Sequence, residues 1–138
     1  MAKKSFRCKL VTPASALVDD QVVYASVPAW DGLMGFLPDR AAFLGKLGLG
    51  ELRLDMADTD KGPGGTRSFI LDGGFIRMAG DVMTILAERA VDVSALTASD
   101  AEAELKAAAG MKDPAEKARA TKRAELMAQM AKSGGGKV

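Results

Sequence analysis

With 138 residues the chain has room for one domain with a proper core, or for a domain of roughly 90 residues and an appendage, but not for two large domains. It is 48% hydrophobic and 27% charged, too apolar for disorder, and a formal net charge of +1 predicts neither a nucleic-acid binder nor a membrane-surface protein. The sequence has no histidine and one cysteine, which excludes Ser-His-Asp and Cys-His sites and a structural zinc site.

The start, MAKKSF, lacks the apolar stretch of a secretory signal, and no run approaches the ~18 apolar residues of a membrane span, so no direct membrane insertion is expected. From 6 to 27 the pattern has period two. Phe6, Cys8 and Leu10 alternate with Arg7, Lys9 and Val11, and Val23, Ala25 and Val27 with Val22, Tyr24 and Ser26, which predicts strands. Within them Cys8 reads as a small buried hydrophobe, as befits a reducing compartment. Asp19-Asp20 offers carboxylates to a hard cation, but adjacent acids in a turn are usually solvated, and no metal site is assigned.

Turn signals then recur at Asp31-Gly32, Pro38-Asp39, Gly48, Gly50, 58–65 (DTDKGPGG), Gly73-Gly74 and Gly80-Asp81. The short apolar segments between them, 51–57, 66–72, 75–79 and 82–88, predict a β-sandwich or barrel rather than a parallel α/β sheet. The glycine clusters lack the lysine and hydroxyl residue of a P-loop and read as turns. Trp30 reads as the cap of a core or an interface.

After Val93 alanine, glutamate and lysine take over, and the boundary is placed there, giving units 1–93 and 94–138. A first helix is expected to start near Ser94 or Thr97, with Asp100 in its opening turn and Gly110 as its stop. A second starts with Asp113 as N-cap, Pro114 at N1 and Glu116 at N3. So short a link folds the two back as an antiparallel hairpin. Residues 1–93 carry 11 Lys/Arg against 12 Asp/Glu, a net of −1, whereas 94–138 carry 8 against 6, a net of +2. The apolar positions of the hairpin are mostly Ala101, Ala108, Ala120, Ala124 and Ala131, with Leu105, Leu126, Met127 and Met130 as larger contacts. At about 25 cal/mol per Å² such a seam is weak, so the hairpin is expected to leave its docking surface. The glycine-rich stretch 133–136 reads as a frayed tail.

Three stretches together resemble the ε subunit of the F-type ATP synthase, the mitochondrial δ subunit. DGLMGFLP at 31–38, continuing to Leu44, is similar to the family's EGELGIxPGHAPLL, and LGLGEL at 47–52 to its LxPGxLxI. FILDGGFI at 69–76, followed by 82–87, is similar to FxxxGGFxEVxxxxVTVLA. The resemblance implies a β plus α fold, an N-terminal antiparallel β-sandwich followed by a C-terminal antiparallel helical hairpin, in a non-catalytic rotor subunit without cofactor. Its partners would be the γ subunit and the c-ring, with the catalytic α and β subunits met through the hairpin. It would sit peripherally on the cytoplasmic face of the bacterial inner membrane, coupling ion-driven rotation to ATP synthesis. Asp31, Gly32, Asp39 and Arg40 correspond to loops that approach the c-ring. Arg119, Lys122 and Arg123 are assigned to an inhibitory contact with the β subunit, since charges one turn apart face one acidic partner. The reading set against this one is a free-standing β-sandwich binding module with a helical oligomerisation tail.

Some members of that family bind ATP through an I/L-D-x-x-R-A motif. The matching stretch here, 93–98, has Ser94 and Thr97 in place of its aspartate and arginine. Calorimetric titration with ATP is therefore expected to give no micromolar binding, and micromolar affinity would refute the assignment.

Overall fold

The computed structural model describes residues 4–39, 41–60 and 62–131. Seven strands come first: β1 (Phe6–Val11), β2 (Ala16–Ala29), β3 (Gly32–Phe36), β4 (Phe43–Lys46), β5 (Leu49–Met56), β6 (Thr66–Ala79) and β7 (Val82–Asp92). A short 3-10 turn and two helices, α1 (Ala98–Ala109) and α2 (Pro114–Met130), follow among the described residues. Contacts divide it into one unit ending at Ala90 and a second starting at Val91.

In the first unit the strands run in the order β1-β7-β6-β5-β2-β3, with β4 on β6 and a further β1–β2 pairing that closes the sheet on itself. The alternation along β1 is realised: Phe6, Cys8 and Leu10 are buried and Arg7 is exposed. Inward residues of the other strands join them, among them Val22, Val27, Phe36, Leu52, Leu54, Phe69, Leu71, Ile76, Met83 and Ile85. Burial pushes the Cys8 thiol up to about 12, with a smaller contribution from the charge of Asp19, so it stays protonated at neutral pH. Most pairings are antiparallel, but β1 and β7 are parallel, Arg7 to Val11 lying beside Val82 to Leu86. A parallel pair needs a long connection, and here the connection is the rest of the unit.

The break expected at Gly73-Gly74 is not a turn between two strands. One 14-residue strand, β6, runs through it. Its first half, Thr66 to Asp72, pairs with β5, and its second, Phe75 to Met78, pairs with β4. The two glycines form the corner at which the strand changes partners, with φ of 77° and 122°. Those values suit glycine and strain an L-residue. A side chain at Gly74 would also collide with the Leu86 carbonyl oxygen. By contrast Gly80-Asp81 is a true turn: φ is 52° and 60°, the two-residue form whose twist matches the flanking strands.

The second unit matches its sequence signals closely. Thr97 caps α1 reciprocally, its hydroxyl accepting from the Asp100 amide at 3.2 Å while the Asp100 carboxylate accepts from the Thr97 amide at 3.0 Å. Gly110 ends α1. Asp113 caps α2, and Pro114 occupies its first turn.

Replacing Gly74 with alanine is expected to destabilise the first unit by about 3 kcal/mol, combining positive-φ strain with a steric clash. Guanidinium unfolding followed by the midpoint would measure it; an unchanged midpoint would show that the corner is not strained.

Candidate functional site

The four positions assigned to the ring-facing loops flank β3. Asp31 lies in the turn that enters the strand, and Gly32 is its first residue, paired with Ala29. Asp39 lies in the turn that leaves it. A five-residue strand of about 16 Å separates the two acids, so they do not form one cluster. Arg40 lies outside the described residues. Asp39 has a φ of 64°, in the left-handed region that Asp tolerates better than most residues, and its carboxylate accepts from the Lys4 ammonium at 2.7 Å. That pairing raises the Lys4 pKa above its ordinary value, chiefly through the hydrogen bond.

The sequence reading missed the apolar side chains around these turns. Trp30, 72% exposed, caps no core of its unit, and Leu33, Leu37 and Leu44 are exposed as well. Leu33 and Leu37 are the outward residues of β3 and its exit, while Met34 and Phe36 turn in towards the core. β3 pairs only with β2 and is an edge strand. The signal was present in LMGFL at 33–37, apolar on both faces where a half-exposed strand would alternate. Elsewhere an apolar recess of about 340 Å³ lies between Val11, Pro13, Phe75 and Leu86, with Phe75 and Leu86 exposed.

Neither recess nor turn assembles reactive groups. Asp19, one of the two adjacent acids, accepts two hydrogen bonds from Arg7 at 2.7 and 2.8 Å, and these hold its carboxyl below the usual range. Asp20, Asp55 and Asp58 line an open polar recess with Arg67. Among the described residues no three His, Cys, Asp or Glu side chains gather as a metal site requires. No described helix is long and apolar enough to cross a membrane.

On α2 the three cations part company. Arg119 and Lys122 are exposed, but Arg123 is only 8% exposed and lies on the buried row with Ala120, Ala124 and Met127. Its Nε donates to the Glu104 carboxylate of α1 at 2.7 Å. Glu104 occupies the corresponding row of α1, three residues after Ala101 and four before Ala108, both buried, while Leu105 points away and is half-exposed. The expected seam of alanines thus has an ion pair in its middle. Its signal was positional: each charge sits at i+3 from one buried alanine, and the two are of opposite sign on successive helices.

The beta-sandwich domain of the ATP synthase delta/epsilon chain matches residues 5–93. The chain belongs to that family. An ATP synthase epsilon chain of Solibacter usitatus is 38% identical to it over 126 residues, 85% of this chain and 88% of the relative. One from Rhodopirellula baltica is 36% identical over 97 residues, 70% and 71% of the two chains. A chain in the solved Euglena gracilis mitochondrial ATP synthase with OSCP, F1 and c-ring shares the fold, with a TM-score of 0.68 over 96% of this chain and 82% of that one at 17% identity. In this delta/epsilon chain, the residues that stand at the family's nucleotide motif are occupied locally. Thr97 caps α1, and Ser94 bonds through its amide and hydroxyl to Asp92 at 2.9 and 2.8 Å.

Because Arg119 and Lys122 are exposed whereas Arg123 is buried against a carboxylate, their alanine variants should differ in the isolated chain. The first two are expected to change stability by no more than about 0.5 kcal/mol. Arg123→Ala leaves the half-buried Glu104 without that partner, for a loss of about 1–3 kcal/mol in the packing of α1 against α2. Denaturant titration followed by a fluorescent pair placed across the two helices separates the cases, and equal effects at all three positions would contradict the burial.

Proposed function

We propose that this chain is a non-catalytic subunit of the rotor of an F-type ATP synthase, carrying ion-driven rotation of the c-ring through γ to the catalytic sites. The observation that carries this reading is the family match across the whole β unit, from 5 to 93. The second unit supports it, since the fold shared with the Euglena complex extends over 96% of the chain and so includes the helices. The β unit is the fixed adaptor, meeting γ and, through the turns at Asp31-Gly32 and Asp39-Arg40, the c-ring. Trp30, Leu33, Leu37 and Leu44 widen that assignment: exposed large apolar side chains around a polar turn are the composition of a surface covered by a partner. Such a subunit sits peripherally at the cytoplasmic face of the bacterial inner membrane.

The helical unit is a brake in this reading. Arg119 and Lys122 face outward from α2 and would pair with acidic residues of the catalytic β subunit, opposing rotation in the hydrolytic direction. Pairs at such an interface weaken with salt.

A tagged copy expressed in its own cell is expected to co-purify with α, β and γ, and a chain that runs alone would overturn the rotor assignment. Within the complex, deleting 94–138 should leave assembly intact and raise ATP hydrolysis at least about fivefold, the lower end of typical coupling between sites. Unchanged hydrolysis in an assembled complex would refute the brake and leave the adaptor standing.

A further inference from the structure

We propose that the Glu104–Arg123 pair is a latch that holds the hairpin closed and keeps Arg123 out of the outward-facing basic surface until the helices part. The proposal rests on the reading of the hairpin as a moving element and adds the device that controls the movement.

Three observations carry it. The pair is short, 2.7 Å, and withdrawn from solvent, with side-chain exposures of 9% for Arg123 and 15% for Glu104. It crosses from α1 to α2 and lies among small side chains, Ala101, Ala108, Ala120 and Ala124, each of which contributes little apolar area. Arg123 is also the sole buried basic residue among those described, although Arg119 and Lys122 on the same helix are exposed. A seam of alanines lets two helices approach but holds them weakly. A charge pair in its centre adds to that seam a contact between specific partners.

That contact has two properties a hydrophobic seam lacks. It is exchangeable, because either charge can accept an outside partner of the right sign as the helices separate. It is also selective, because removing one charge while the helices stay together leaves the other withdrawn from solvent without that partner, whereas parting the helices returns it to water. The closed hairpin therefore presents Arg119 and Lys122, and opening adds Arg123 one turn from Arg119. An acidic partner that binds all three cations would favour the open form by its differential affinity, as any ligand of one state does.

The test uses the isolated full chain with spin labels at Ser99→Cys and Ala128→Cys, exposed positions near the ends of the helices far from the connecting turn. Buried Cys8 is expected to escape labelling in the native protein. Neighbouring antiparallel helices place the labels about 20 Å apart, whereas helices opened end to end place them about 40 Å apart. Glu104→Gln and Arg123→Gln are each expected to raise the long-distance population at least about tenfold with helical ellipticity retained. Glu104→Leu with Arg123→Met, which replaces both charges by apolar side chains, should return it to the native level or below. The charge exchange Glu104→Arg with Arg123→Glu should restore the short distance.

Unchanged distances in the single variants would overturn the latch, as would a double apolar variant that opens as much as the singles. Loss of ellipticity together with the short distance would also overturn it, by showing that the pair supports the helices themselves. None of these outcomes bears on the rotor reading, which is tested by co-purification.

Discussion

Everything in the first unit depends on one constraint: β6 must pass from one partner strand to another without a break. Its two halves pair with β5 and β4, and only the positive φ angles at Gly73-Gly74 let a continuous strand turn that corner. A pleated strand that stayed with one neighbour would leave β4 without its partner. The corner therefore fixes where β4 begins, and with it the course of the segment from Pro38 to Phe43 that leads into it. Phe43 packs its ring against Phe36 at 5.7 Å, tying the entry of β4 back to the end of β3. The turn after β3 thus leaves from buried Phe36 and returns at half-buried Phe43, while Leu37, Asp39, Ala41 and Ala42 are exposed.

The helical unit is organised on a different principle. Its helix starts are specified locally, by side chains that satisfy amides a few residues away, while the buried side chains between its helices are mostly alanines. The capping bonds close within four residues, so they do not depend on the apposition of the two arms. A β hairpin of the same size would lack such local order, because its strands have no hydrogen-bonded structure apart from each other.

Much of this was legible in the residues. Period-two alternation found β1 and much of β2, and capping chemistry found the end of α1 at Gly110, the start of α2 at Asp113 and, as one of two alternatives for the start of α1, Thr97, because both signals are local. What failed to show depended on three dimensions. Gly73-Gly74 looked like every other glycine turn, since a corner and a turn demand the same backbone freedom and differ only in whether the chain then reverses onto itself or runs on to a new partner. The parallel β1–β7 pairing joins residues some 75 apart in sequence, beyond any local pattern. Arg123 looked like a surface charge beside Arg119 and Lys122, and only the row it shares with Ala120 and Met127 distinguishes it. Asp31 and Asp39 are eight positions apart in sequence, yet a strand between them keeps them from acting as one site.

The β1–β7 pairing has a consequence for how the chain is made. β1 can form a hairpin with β2 early, but its other edge stays open until β7 has been synthesised, a wait of about 4 to 15 s at ordinary elongation rates. During that interval the inward face of β1, with Phe6, Cys8 and Leu10, lacks the Met83 and Ile85 side chains that later cover it. The nascent subunit is then a half-closed barrel with an adhesive edge, and its vulnerable period ends before the helices emerge. The helical segment, made after the strands, carries its own local start signals, whereas β1 must wait for a strand made some 75 residues later.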